Sequence, residues 1–194
     1  VLRLSENGGI SCKSVFNNEK AAGIGVVKVD PSNSSIVWVG TGEGNPRNSV
    51  SSGYGVYKSF DGGQTWKSMG LENTRNIYKI AVDPTNSNVV YVGAIGTPWG
   101  DNENRGVYKT TDGGKTWKPV DYKGPYVKGL CAIDIVKEQY INHGKLDNKI
   151  HIYAVGRVGS PTNMMASHDG GLTWTSNSMD KDSKMLFDIK MFDK

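Results

Sequence analysis

The chain has 194 residues, of which 37% are hydrophobic and 22% charged, enough for one domain with its own core. No run approaches the roughly 18 apolar residues of a membrane helix, and the net charge of +4 comes from scattered Lys and Arg, so the composition argues against a membrane span and against a nucleic-acid partner. Cys12 and Cys131 lack metal-type spacing, so we predict no disulfide framework, no metal and no cofactor.

Short runs rich in β-branched and aromatic residues, bounded by turn-forming residues, predict β-strands along the whole chain. Residues 2–16 supply two strands, and a last strand is predicted at 185–192. Between them lie three sets of four, at 24–30, 36–41, 55–60 and 65–69, at 76–83, 89–95, 106–111 and 116–120, and at 128–136, 149–158, 164–168 and 173–176. A polar insert, 137–148, separates the first two strands of the third set. No segment has a convincing helical period.

An internal repeat defines the unit of this pattern. Residues 59–66 read SFDGGQTW, and the template [ST]-x-D-G-G-x-T-W returns at 110–117 and 167–174, with a degenerate copy at 5–12. The copies recur every 51 to 57 residues, near the roughly 40–50 residues of a four-stranded propeller blade. A second motif, VDPSNS at 29–34, returns as VDPTNS at 82–87 with the same period.

These repeats predict an all-β fold, a β-propeller of four-stranded antiparallel blades. The whole chain, 1–194, would form one arc of about four blades, with complete blades at 21–70, 71–123 and 124–180 and partial blades at 1–20 and 181–194. An arc leaves strand edges and blade faces uncovered at its ends. We therefore expect a larger propeller, completed by other blades or chains.

The repeated turn has a structural explanation that involves no catalysis. Its Asp can accept hydrogen bonds from nearby backbone N–H groups, its Gly residues tolerate positive φ, and its Trp offers an apolar face that locks the hairpin onto the sheet. A catalytic acid is needed once, whereas a turn clasp is needed in every blade. The residues predicted to be structural in this way are Asp61, Trp66, Asp112, Trp117, Asp169 and Trp174.

The template resembles the Asp-box, or bacterial neuraminidase repeat, of sialidases, xyloglucan-cleaving glycoside hydrolases and sortilin-like receptors. The runs VVYVG at 89–93 and GVYKTTDGGKTW at 106–117 are most similar to the sortilin-like and xyloglucanase-like branch. The resemblance covers 1–123 well and 124–194 more weakly. In such propellers the Asp-box hairpin lies on the face opposite the binding site, so the resemblance implies that ligands contact the other loops.

Those loops carry three candidate catalytic carboxylates, Glu43, Asp101 and Glu103. Glycoside hydrolysis uses two carboxylates about 5–10 Å apart. The alternative is that these acids form loop ion pairs with Arg47 and Arg105. The xyloglucanase-like branch places an Asp just after its second strand, where this chain has Gly42, and the Phe/Tyr-Arg-Ile-Pro segment of sialidases is absent.

The same loops carry candidate ligand-binding residues. Trp99 could stack on a sugar ring or fill a peptide pocket, or it could anchor its own loop. The arginines could hold an anionic group or bridge neighbouring blades. The three histidines are dispersed in sequence, which favours no metal site. The candidate ligand-binding set is Arg47, Arg75, Trp99, Arg105 and Arg157.

The sequence thus predicts a secreted, cell-surface or periplasmic binding or scaffold module that recognises a glycan or peptide through its loop face. The alternative is a glycoside hydrolase, xyloglucanase-like or sialidase-like. A third possibility is that the loops bind other copies or other chains.

Overall fold

The computed structural model describes residues 2–44, 49–97, 102–121, 123, 130–156, 164–177 and 189–190. Across these residues the regular structure consists of fourteen β-strands and one short 3-10 helix, Glu72–Thr74. The strands form three four-stranded antiparallel sheets and one two-stranded sheet, which confirms the predicted all-β fold of four-stranded blades. None of these segments contains a helix with the length and apolar character needed to cross a bilayer.

Each sheet is a simple up-and-down meander of consecutive strands. Sheet 1 contains β1 (Arg3–Leu4) and β2 (Lys13–Ser14). Sheet 2 contains β3 (Ile24–Val29), β4 (Val37–Thr41), β5 (Val56–Ser59) and β6 (Lys67–Ser68). Sheet 3 contains β7 (Ile77–Asp83), β8 (Asn86–Ala94), β9 (Gly106–Thr110) and β10 (Lys118–Pro119). Sheet 4 contains β11 (Leu130–Asn142), β12 (Lys145–Gly156), β13 (Met164–Ser167) and β14 (Thr175–Asn177).

The prediction of a polar insert at 137–148, between two separate strands, is wrong. Strands β11 and β12 stay paired through it, with Asn142 opposite Lys145, and the turn is His143-Gly144, both at positive φ. Two positive φ values in a two-residue turn match the twist of an antiparallel hairpin. The polar composition misled the prediction because this extension projects into solvent, where even Ile141 is exposed.

The hydrophobic core lies between the sheets rather than within one of them. The first strands β3, β7 and β11 lie side by side, and apolar residues of neighbouring sheets fill the spaces that separate the sheets. Trp38 and Val56 of sheet 2 pack with Ile77 of sheet 3, while Tyr91 of sheet 3 packs with Ile152 of sheet 4. This face-to-face arrangement of successive sheets is the packing expected of propeller blades.

The strand predicted at 185–192 falls mostly outside the described residues. The described part of it, Ile189 and Lys190, is not assigned to a strand, and Lys190 Nζ lies 3.6 Å from Asp134 Oδ2 on β11. The predicted blade boundaries stay a prediction.

Candidate functional site

The Asp-box turns form at the hairpin between the third and fourth strands of each complete sheet. In sheet 2, the Asp61 carboxylate accepts hydrogen bonds from Ser59 Oγ (2.7 Å), Gln64 N (3.0 Å), Thr65 N (2.9 Å) and Thr65 Oγ1 (2.5 Å). Asp112 in sheet 3 and Asp169 in sheet 4 accept from the equivalent groups. The three carboxylates therefore lie in three separate turns, and each carboxylate is hydrogen-bonded by groups of its own turn.

These hydrogen bonds set the ionisation of the carboxylates. The hydroxyl of Thr65, with further donors, holds the pKa of Asp61 well below its ordinary value, and Thr116 does the same for Asp112. Burial would raise the pKa of Asp169, but the hydrogen bonds from Thr173, Ser167 and Leu172 together outweigh it and lower the pKa to about 2. A carboxylate stabilised in its charged form is a poor proton donor, which argues against a general-acid role.

The degenerate copy at 5–12 keeps the turn with an amide in place of the carboxylate. Asn7 Oδ1 accepts a hydrogen bond from Ser11 N at 2.9 Å, and Gly9 N donates to Ser5 Oγ at 2.7 Å. Asn7 Nδ2 also donates to Ser11 Oγ. The geometry of the turn thus survives the loss of the acid, which supports its structural role.

The Asp-box Trp of sheets 3 and 4 packs onto the preceding sheet, a contact that the sequence did not predict. Trp117 of sheet 3 lies edge-on to Trp38 of sheet 2, with ring centroids 6.3 Å apart, and its indole N–H donates to Met69 O at 2.6 Å. Trp174 of sheet 4 packs on Tyr91 of sheet 3 at 5.9 Å. The tertiary packing could not be inferred from one hairpin, because it depends on the neighbouring blade.

The second glycine of the Asp-box allows this close approach. A Cβ on Gly114 would lie 2.8 Å from the Trp38 ring, and one on Gly171 would lie 2.1 Å from the Tyr91 hydroxyl. Both glycines also have positive φ, 93° and 76°. Glycine is therefore needed at this position of the Asp-box for two reasons: the turn requires positive φ, and the preceding sheet approaches too closely for a side chain.

A lysine before each of the first two complete boxes, Lys58 buried and Lys109 half-buried, contacts the following sheet at the same junction. Lys58 Nζ donates to Gly113 O of the next sheet at 3.2 Å and lies 4.3 Å from the centre of the Trp38 ring. Lys109 Nζ donates to Gly170 O and Gly171 O, beside Tyr91. Burial lowers the pKa of Lys58. The VYK repeated before these two boxes was the available signal for this contact.

The opposite end of the sheets carries the loops between second and third strands and the links between sheets. This follows from antiparallel alternation, because the Asp-box hairpins and these loops leave opposite ends of the strands. Contacts join the loops of sheet 2 to the following link, where Gly53 N donates to Arg75 O at 2.8 Å. We call this end of the molecule the loop face.

An open groove of about 540 Å³ lies on the loop face, where three loops meet. Its lining combines an exposed aromatic ring, a carboxylate, a guanidinium and two amides. Tyr54 is 46% exposed. Neither Tyr54 nor Asn104 was singled out from the sequence, since neither belongs to a repeated motif. The groove is lined by Ser52, Gly53, Tyr54, Glu72, Asn73, Arg75 and Asn104.

The backbone around the groove is tightly fixed. A Cβ on Gly53 would lie 2.3 Å from Arg75 O, so only glycine allows the two loops to approach this closely. Leu71 and Arg75 flank the 3-10 turn with φ of 62° and 55°, a region that costs a non-glycine residue about 1–2 kcal/mol. Strain of this kind is concentrated at functional sites. Thr74 braces the turn by donating to Leu71 O.

The other predicted site residues lie elsewhere on the loops. Glu43 is half-buried and accepts a hydrogen bond from Ser51 N at 3.1 Å. Glu103 is exposed in the next loop. Arg105 donates from Nε to Ile95 O at 2.9 Å and from Nη2 to Thr97 O at 3.0 Å, and so braces its own loop. The remaining candidates, which lie outside the described residues, are Arg47, Trp99, Asp101 and Arg157.

Of the two predicted ligand-binding residues that the structure describes, Arg75 lines the groove and Arg105 does not. In the part of the chain that is described, no three His, Cys, Asp or Glu side chains come together in a way that could hold a metal ion.

The comparisons with known proteins agree with this fold. The model of the BNR/Asp-box repeat matches residues 57–68 and 108–119, which confirms that the chain carries Asp-box repeats. The copies at 5–12 and 167–174 lie outside those matches, although they form the same turn. No curated protein matches the chain.

Several solved propellers resemble the chain over most of its length. The GH74 enzyme of Niastella koreensis is 24% identical with a TM-score of 0.50, over 81% of this chain and 23% of that one. The GH74 xyloglucanase of Xanthomonas campestris is 17% identical with a TM-score of 0.51, over 81% and 22%. YCF48 bound to D1 peptide is 18% identical with a TM-score of 0.49, over 80% and 40%. The chain thus spans less than half of these proteins, and the likeness shows the fold alone.

Proposed function

We propose that the chain is a binding module that recognises a glycan through the groove on its loop face. The observation that carries this proposal is the composition of the groove, where exposed Tyr54 lies with Glu72, Asn73, Arg75 and Asn104. Binding sites of small ligands usually have volumes of about 300–1,000 Å³ and a few convergent polar groups. The groove meets both conditions.

The chemistry of the lining suits a sugar. An exposed tyrosine offers a flat apolar face to the C–H side of a pyranose ring, and its hydroxyl stays in water. The carboxylate of Glu72 accepts hydrogen bonds from hydroxyl groups, the amides of Asn73 and Asn104 donate and accept, and the guanidinium of Arg75 donates. A peptide is the other ligand class that such a groove could hold.

The Asp-box face supports this proposal by contrast. Its carboxylates and glycines are already engaged in turns and in contacts with the next sheet, whereas Tyr54, Glu72, Asn73 and Arg75 are exposed. The Xanthomonas campestris protein is a xyloglucanase, and xyloglucan oligosaccharides are therefore the first glycans to test, with sialyl-lactose as the comparison sugar.

Calorimetric titration of xyloglucan oligosaccharides with matched aromatic variants tests the groove. Tyr54→Ala should weaken binding about 10-fold or more because it removes the stacking surface. Phe60→Ala is the control, since Phe60 is 58% exposed on the Asp-box face and should leave affinity unchanged. Equal loss in both variants, or binding of peptides with no binding of any glycan, would refute the proposal.

The same samples separate a binding module from a hydrolase. A binding module releases no reducing sugar. Release that is abolished by Glu43→Gln or Glu103→Gln would instead identify a glycoside hydrolase, with these loop carboxylates in the reaction.

The proposal also includes further blades and a location outside the cytoplasm. The position of Lys190 beside β11 supports the first part, because β7 and β11 each lie beside the first strand of the preceding sheet. The resemblance to exported Asp-box proteins supports the second. A native mass no greater than 21.1 kDa would contradict the first, and recovery of the natural protein from the cytoplasmic fraction alone would contradict the second.

A further inference from the structure

Two histidines that are distant in sequence meet on sheet 4. His151 lies on β12, and His168 follows β13 directly opposite it, since Ile152 pairs with Ser167. The Nδ1 atoms of the two rings are 2.8 Å apart, and the ring centroids are 5.1 Å apart. On the other side, His151 Nε2 lies 2.8 Å from Glu138 Oε2 on β11. A hydrogen-bonded chain therefore runs from Glu138 through His151 to His168.

When both rings are neutral, this chain fixes which nitrogen carries each proton. An ionised carboxylate can only accept a hydrogen bond, so Nε2 of a neutral His151 carries the proton and its Nδ1 carries the lone pair. His168 must then donate its Nδ1 proton to that lone pair. A carboxylate that accepts the proton of one histidine nitrogen, and so leaves the lone pair on the other, is the usual second shell of a metal ligand.

We propose that His151 and His168 form a two-nitrogen site for a divalent transition-metal ion of the Cu(II) type, with Glu138 as the group that orients His151. Two nitrogens bound at right angles about 2.0 Å from one ion lie about 2.8 Å apart, which is the tetragonal arrangement that Cu(II) prefers. The proton on Nδ1 of His168 moves to its Nε2 through solvent, so the ring binds in its neutral form. Water or a ligand fills the other positions on the metal.

Comparison of the three complete sheets supports a specific role for this pair. The same cross-strand position holds Ile36 and Phe60 in sheet 2, and Val89 and Thr111 in sheet 3. Neither pair can bind a metal. Sheet 4 alone among these three has a donor atom on both strands, and it also supplies the carboxylate at Glu138.

The test is a titration of the purified chain with Cu(II) in a buffer that does not coordinate metal. His151→Val and His168→Thr reproduce the pair of sheet 3, which the fold already accommodates. Each should weaken Cu(II) binding at least 10-fold, while Glu138→Ala should weaken it about 10-fold through loss of orientation. His143→Ala, in the hairpin turn, should have no effect. Circular dichroism checks that every variant is folded.

Electron paramagnetic resonance of the Cu(II) form supplies an independent measurement. Wild-type protein should show coupling to two imidazole nitrogens, and each single histidine variant should lose it. The proposal is overturned if the double variant His151→Val/His168→Thr keeps wild-type affinity, or if His143→Ala loses as much affinity as the other two histidine variants.

Discussion

The two ends of the propeller strands use polar residues in opposite ways. On the Asp-box face, the carboxylates of Asp61 and Asp112 accept hydrogen bonds from their own turns, and Lys58 donates to a carbonyl of the next sheet. On the loop face, Tyr54 and Arg75 are exposed around a groove. The difference shows that the most conspicuous motif of this sequence builds the scaffold, while the exposed residues of the groove lie in loops that are not repeated.

The largest effect is expected from removing the aromatic ring at the centre of one junction. Trp38 is fully buried between sheets 2 and 3, against Trp117 and Lys58. Trp38→Ala should lower the free energy of unfolding by about 3–5 kcal/mol because it leaves a large cavity. Urea denaturation measures the change.

The milder Trp38→Phe serves if the alanine variant does not fold, and Phe60→Ala is the exposed-ring control. If Trp38→Ala proves no more costly than Phe60→Ala, the aromatic junction does not stabilise the fold and the contrast between the faces fails.

A matched pair of glycines separates the cost of the turn from the cost of the junction. Gly9 and Gly114 occupy the same position of the Asp-box, with φ of 89° and 93°. A Cβ on Gly9 meets nothing within 4 Å, whereas one on Gly114 meets the Trp38 ring at 2.8 Å. Gly9→Ala should cost about 1–2 kcal/mol of stability from the left-handed backbone alone.

Gly114→Ala should cost more than Gly9→Ala by about 1–3 kcal/mol, because the added methyl group overpacks the junction. Chemical denaturation of both variants gives this difference directly. Equal costs would mean that the second glycine serves the turn only, and that contact with the preceding sheet is incidental.

A smaller effect is expected from acid. The pKa values of Asp61, Asp112 and Asp169 are lower in the folded chain than their ordinary values. Between the two values the unfolded chain binds more protons, so stability should fall as pH drops from about 4 to about 2. The urea midpoint across this range measures the slope.

Asp61→Asn imitates the degenerate copy, where Asn7 forms the same turn, and should reduce the acid slope. A slope that is unchanged in this variant would show that the Asp-box carboxylates do not govern acid unfolding.

The sequence predicted the scaffold because the scaffold repeats. The Asp-box, its period and the alternation of strand direction were sufficient to predict the four-stranded sheets and the two faces. The degenerate copy at Asn7 could also be recognised. The register of β11 and β12 was missed because exposed polar residues there look like an insert, although the turn at His143-Gly144 continues the ladder. The conformation of that segment is set by strand pairing rather than by its composition.

Much less of the candidate site could be predicted. Arg75 was found from its position in a link between sheets, but Tyr54 lies in a loop without periodicity, and its place in the groove depends on how Gly53 packs against that link. His151 and His168 are 17 residues apart, far from the spacing of three to five residues between the two histidines of a sequence zinc motif. Only the register of β12 with β13 brings them together.

The central claim is that ligands bind on the loop face while the Asp-box turns only hold the sheets together. The most direct measurement is to map backbone amide chemical shifts of labelled protein during titration with xyloglucan oligosaccharides. We expect the changes at residues 52–54, 72–75 and 104, with none at 59–66, 110–117 and 167–174. Changes confined to the Asp-box turns would contradict the account.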